Sequence, residues 1–352
     1  AGLMQQRVEQ YPAMITAWDP MLDTLLATAP FANGYKTLGP NRIKNLIRRT
    51  PLGAVYLAQS DEYGIDVALD VFPVPGRSKT DPSDFLKAYQ AAFAPAMALS
   101  SPGLIAVFDV ATAHHLVFTA CEFVHGDSLR ALFARQKQLS DKQAGDALGS
   151  IADALSGAHA AGIIHGAITP DRIVIDPSGR ARIGDMNALS AYYHARYGDA
   201  LPDEPSPGLP PYLAPEQMQS FLNSAPASDV WAFGVVLFEA LAGQLPWTTV
   251  NAKEFLSIIS SSPAPDIRRI NPSVSEPIAV LISRALATTP ADRYPNGSEL
   301  KAAFLSAIAA SAAPGIQPPS HTRLRGRTAL FKPGGIQRPP SAGTTSADAD
   351  AK

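Results

Sequence analysis

Leu213-Ala214-Pro215-Glu216 and, further on, Ser228-Asp229-Val230-Trp231-Ala232-Phe233-Gly234 are the stretches on which the reading of this chain turns. From Asp229 to Ala242 the residues keep helical periodicity, and Glu239 stops the apolar run well short of the roughly 18 residues needed to span a bilayer. The same periodicity appears downstream from Pro277 to Ala287 and upstream from Ala144 to Ala161, so residues 125–312 read as a mainly helical lobe. Residues 34–124 read differently. Ala54-Val55-Tyr56-Leu57-Ala58 and Val67-Ala68-Leu69 mix β-branched and aromatic residues between turn signals, with one helical stretch from about Asp84 to Leu99. The expected class is α+β, a small β-rich lobe followed by a larger helical one.

The two ends differ from this middle. Val8, Tyr11, Ile15, Trp18, Leu22 and Leu25 fall on one helical face, which predicts an amphipathic extension over residues 1–33. Asp19-Pro20 divides it into two short helices that pack on the next domain. After Ala313 the pattern gives way to Pro, Gly, Ser and Ala without an apolar face, so residues 313–352 are expected to be a disordered tail. That tail is basic: Arg323, Arg325, Arg327, Lys332, Arg338 and Lys352 stand against Asp348 and Asp350.

With 352 residues, 46% of them hydrophobic, the chain can bury one large core or two adjoining lobes. A net charge of -2 provides no general attraction to nucleic acid or to an anionic membrane. A lone cysteine, Cys121, excludes an internal disulfide and a multi-cysteine metal site, which suits a reducing cytoplasm. The expectation is a cytoplasmic chain with no membrane segment of its own; if it is a fragment, an upstream segment lies out of view.

Read in order, Gly53-Ala54-Val55, Val67-Ala68-Leu69 and Glu122-Phe123-Val124 precede His165, Asp185, Ala214-Pro215-Glu216, Asp229 and Arg293. This series resembles the eukaryotic-like Ser/Thr protein kinases of bacteria over roughly residues 34–310. The resemblance implies a two-lobed fold with nucleotide in the cleft. It implies a buried ion pair between Glu216 and Arg293, an Asp229 that holds the catalytic-loop backbone, and a loop framed by His165 and Pro170. It also places Val55, Ala68 and Val174 around adenine and Glu122 at the connector between lobes, although those apolar residues would serve equally as plain core.

The residues that would handle phosphate are replaced, and here the chain resembles a degraded, pseudokinase member. Of the glycine-rich turn only Gly53 remains, with Arg48 and Thr50 at earlier glycine positions. Asp70 stands where the resemblance implies a phosphate-holding lysine, and about Ala92 where it implies that lysine's glutamate partner. In the catalytic loop, Ala167 replaces the aspartate that accepts the acceptor proton, Thr169 a second lysine, and Arg172 a metal-binding asparagine. Leu209 replaces a bracing threonine. Asp185-Met186-Asn187 keeps the metal-binding aspartate, a residue that would serve equally as a salt-bridge partner. Arg172 beside it predicts such a bridge, since a guanidinium pairs with a carboxylate and repels a divalent cation. Arg48 or Arg49 is the expected counter-charge for Asp70. Asp171, His114, His115 and His194 are expected to face solvent.

No catalytic residue and no cofactor is therefore expected. The leading reading is a kinase-like scaffold or regulator that contacts protein partners through the helical lobe, the activation segment or the tail, and binds no nucleic acid. The alternatives are a divergent active kinase using ATP and magnesium, with Lys44, Arg48 or Arg49 recruited to the phosphates, and a module that senses nucleotide without transfer.

Overall fold

The computed structural model describes residues 37–50, 52–74, 82–113, 116–197, 211–247 and 252–312. The expected N-terminal extension and C-terminal tail lie outside the described residues. The first strands, β1 (Thr37–Leu38), β2 (Asn41–Arg49), β3 (Ala54–Ser60) and β4 (Asp66–Pro73), are followed by helix α1 (Pro82–Met97) and strands β5 (Val107–Ala113) and β6 (Leu116–Glu122). They build a six-stranded sheet in the order β1-β2-β3-β4-β6-β5, every pair antiparallel. β4 shows why: Val67, Leu69 and Val71 are buried at alternate positions, the period of a pleated strand. Helix α1 carries Phe85, Tyr89 and Phe93 four residues apart, so their rings stack along one face, at 6.2 and 5.6 Å between centroids. Gly53 lies just before β3, where the backbone of β4 passes close by; a Cβ there would come within 1.9 Å of the Val71 carbonyl, and only glycine fits.

The helical lobe opens with β7 (Asp127–Ser128), α2 (Leu129–Arg135) and α3 (Asp141–Ala160). Ser140 and Gln143 form a capping box that starts α3. β8 (Ile173–Ile175) and β9 (Ala181–Ile183) join β7 in a small sheet, and α4 (Ala188–Tyr197) and α5 (Pro215–Gln219) follow. Helix α6 (Pro226–Ala242) is buried along nearly its whole length, as an apolar helix at the centre of a lobe must be, and Gly243 ends it in a left-handed cap at φ 72°. Around it lie α7 (Ala252–Ser261), α8 (Glu276–Ala285) and α9 (Gly297–Ala312). No helix of the described residues is long and apolar enough to cross a membrane.

Two apolar clusters form. One fills the curled sheet around Leu38, Tyr56, Leu69 and Phe118. The other is continuous from Phe72 and the α1 aromatics through Tyr192 into the helical lobe, so α1 is packed into the same core as the C-terminal elements. The cleft lies where the lower face of the sheet meets β8, β9 and the loop of residues 165–172.

Candidate functional site

The loop before β8 is held by its backbone. Asp229, in the first turn of α6, accepts the N–H groups of His165 at 2.7 Å and Gly166 at 2.8 Å, and bonds His159 at 2.9 Å. Gly166 takes φ 77°, and its carbonyl accepts from Gln217 at 2.8 Å. His165 is fully buried. Its Nδ1 accepts the Ala167 N–H and its Nε2 donates to the Gly184 carbonyl at 3.0 Å, which ties the loop to the chain entering Asp185. Burial depresses its pKa, so the ring is neutral and acts as a brace.

Beneath the loop, Glu216 and Arg293 form a bidentate pair at 2.7 and 3.0 Å. The remaining Arg293 donors reach the carbonyls of Ala227, Thr288 and Ala287, and its guanidinium lies over Trp231. All five N–H groups of this buried side chain have acceptors, which is what makes burying the charge tolerable. Burial works against the Glu216 carboxylate, but Arg293 outweighs it and holds its pKa low.

In the cleft, one carboxylate oxygen serves two arginines. Arg48 Nη2, from the end of β2, lies 2.9 Å from Asp185 Oδ2; Arg172 Nε, from the catalytic-loop position, lies 3.0 Å from the same atom. Arg172 also donates to the Ala167 carbonyl at 2.6 Å. Burial alone would raise the Asp185 pKa, but the two guanidinium groups hold it below the usual carboxylate range. Asp185 and Asn187 both adopt positive φ, 60° and 61°, a conformation that Asp and Asn accept more readily than most residues. Asn187 donates to the Ala92 carbonyl of α1 at 3.0 Å, joining the two lobes behind the ion pairs. Asp70 lies in the same cluster without a direct bond: its Oδ1 is closed to solvent and has no hydrogen-bond partner. Desolvation first, then repulsion from Asp185, pushes its pKa up to about 7 against the pull of Arg48 and Arg172.

Sequence comparison assigns this arrangement to a family. The protein kinase domain model matches residues 49–305. The chain belongs to the protein kinase family. Relatives include the Mycobacterium tuberculosis serine/threonine-protein kinase PknA, 31% identical over 307 residues, 84% of this chain and 67% of the relative. The Bacillus subtilis serine/threonine-protein kinase PrkC is 26% identical over 278 residues, 78% of this chain and 41% of the relative. The Myxococcus xanthus serine/threonine-protein kinase pkn3 is 31% identical over 215 residues, 58% of this chain and 39% of the relative.

Within this kinase domain, the residues at the metal position do not suit a divalent cation. Asp185 Oδ2 already carries two guanidinium groups, whose permanent charge repels a divalent cation from the same space. At the adenine positions, Val55 is buried while Ala68 and Val174 are half-buried, and Glu122 pairs bidentately with Arg182 of β9. Ala167 and Thr169 are both buried. Arg49 is exposed, so of the two arginines considered as counter-charge for Asp70 it is Arg48 that enters the cleft. Asp171 and His194 are exposed; His114, His115 and Leu209 lie outside the described residues.

Sequence reasoning missed a second network. Arg130 of α2 reaches Asp171 at 3.3 Å, Glu239 at 2.6 Å and the Tyr212 hydroxyl, and Tyr212 donates to Glu239 at 2.7 Å. The partners are scattered along the chain, and no local pattern announces them.

Proposed function

We propose that this protein kinase domain transfers no phosphate and acts in a reducing cytoplasm as a scaffold or regulator through contacts with other proteins. The observation that carries the reading is the sharing of Asp185 Oδ2 by Arg48 and Arg172. Phosphoryl transfer depends on positioned cations around the phosphates and a carboxylate beside the acceptor hydroxyl. In this cleft the arginines satisfy Asp185 in place of a metal, Asp70 stands at the lysine position, and buried Ala167 offers no carboxylate. A magnesium nucleotide would have to displace two ion pairs to bind. The protein therefore needs neither ATP nor magnesium, and its partners meet the helical lobe, the activation segment or the tail.

The relatives carry the names of serine/threonine kinases, which supports a second reading, a divergent active kinase. A radiolabelled transfer assay with manganese or magnesium, alongside Asp185→Ala, separates the two. The expected result is no incorporation; incorporation that Asp185→Ala abolishes would overturn the proposal. Calorimetry should find no magnesium-dependent ATP binding, and such binding without transfer would mark a nucleotide sensor instead.

A further inference from the structure

Arg48, Val55, Asp70 and Thr119 form one row across the sheet: Arg48 is registered opposite Val55, Val55 opposite Asp70, and Asp70 opposite Thr119. Directly opposed residues on neighbouring strands share a face, so Arg48 and Asp70 project from the same side of the sheet, about two strand spacings or roughly 10 Å of backbone apart. Arg48 instead reaches down to Asp185, which follows β9 in the other lobe. Asp185 does not depend on it, because Arg172 holds the same oxygen. Asp70, by contrast, has a buried oxygen with no partner.

From this geometry we infer that Arg48 is a two-position latch: paired with Asp185 it holds the mouth of the cleft shut, and turned to Asp70 within its own sheet it lets the end of β2 lift away from the helical lobe. The inference deepens the proposed function and rests on it, because a cleft closed by its own side chains needs a device other than nucleotide to open it. Moving Arg48 keeps the number of ion pairs unchanged: Asp185 retains Arg172, and Asp70 gains the partner it lacks. Two arrangements of similar energy are what a bistable element requires. The lobes stay joined on the connector side, where Glu122 pairs with Arg182 at 2.6 Å, and behind the ion pairs, where Asn187 bonds the Ala92 carbonyl and Phe72 and Phe85 pack on Tyr192, so release at Arg48 frees the mouth of the cleft, where the end of β2 lifts from Asp185.

The test measures the distance between lobes in the ligand-free full chain. Spin labels at Leu46→Cys and Val280→Cys, both exposed positions in opposite lobes, are read by pulsed electron resonance in a Cys121→Ala background. Asp185→Asn should shift the distribution to longer distances, with at least a tenfold rise in the ratio of long to short. Asp70→Asn, which removes the second resting place, should leave the short distance dominant. Arg48→Gln abolishes both positions while leaving Arg172 on Asp185, and should lose the short population even if Asp185→Asn fails to fold. A short distance that persists in Arg48→Gln, or an Asp70→Asn distribution as long as that of Arg48→Gln, would overturn the latch. Because no nucleotide is present, either result is independent of whether the domain binds ATP.

Discussion

Replacing Asp70 with asparagine should change how stability depends on pH, and the structure sets the size and sign of that change. The side chain sits in the cleft with one oxygen sealed from water and unbonded, close to ionised Asp185. Its pKa rises from an ordinary 3.8 to about 7, which at 1.36 kcal/mol per pH unit is worth about 4 kcal/mol. Between about pH 4 and pH 7 the folded chain keeps a proton that the unfolded chain has released, so stability falls as pH rises and levels off above 7. Asparagine has no proton to lose. The stability of Asp70→Asn minus that of the parent should therefore climb across this window by up to about 4 kcal/mol. Any hydrogen bond the amide fails to make costs about 1–3 kcal/mol at every pH, which displaces the curve without tilting it. Asp185, held low by its two arginines, adds no slope of its own there. Urea denaturation of both proteins at half-unit steps from pH 4.5 to 8.5 reads the difference directly. If it stays flat to within about 1 kcal/mol across that range, Asp70 is an ordinary solvated carboxylate and the account of the cleft is wrong.

Glu216→Gln breaks the pair with Arg293 from one side and leaves a buried guanidinium short of charge; urea melts should show a loss of about 3–5 kcal/mol. Asp229→Asn keeps the shape but gives up the charge-assisted bonds to His165 and Gly166, at about 1.5–3 kcal/mol each, and hydrogen exchange should lose protection at those two amides before the rest of the lobe. Arg48→Gly combined with Arg172→Asn strips Asp185 of both cations, so the double variant should melt lower at neutral pH and recover in part with millimolar magnesium, while the parent does not respond.

Periodicity in the sequence located the long helices: α3 has one face that must be buried, and α6 is apolar nearly all round. α3 and α6 begin within three residues of where the apolar pattern starts, the difference being capping turns such as Ser140 and Gln143 that carry no hydrophobic signal. Helix α4 was not legible. Ala188–Tyr197 contains three tyrosines, and the Asn187 side chain before it bonds the Ala92 carbonyl of α1; the segment is helical because Tyr192 packs on Phe72 and Phe85 and Tyr193 stacks on Phe221, contacts made by distant parts of the chain. The candidate site divides along the same line. Replacement of single chemical groups, such as Ala167 or Asp70, can be read at one position, whereas the reach of Arg48 to Asp185 depends on how the end of β2 lies over the cleft. Arg130 gave no warning at all, since its role exists only where α2, Tyr212 and α6 meet.

The charges in the cleft also bear on what neutralises Asp185. In a cleft that relies on magnesium, the carboxylate is neutralised by a ligand that comes and goes. Here the compensating charges are covalently part of the chain, and the balance within the cluster shifts only through Asp70. Below about pH 7, with Asp70 neutral, two arginines face one carboxylate and Asp185 is over-compensated. Above it, two arginines face two carboxylates, and the cluster is neutral with nothing bound. A partner that reads the placement of β2 over the cleft would then respond to whatever moves Arg48, by competing for its guanidinium or by pressing on the turn that carries it.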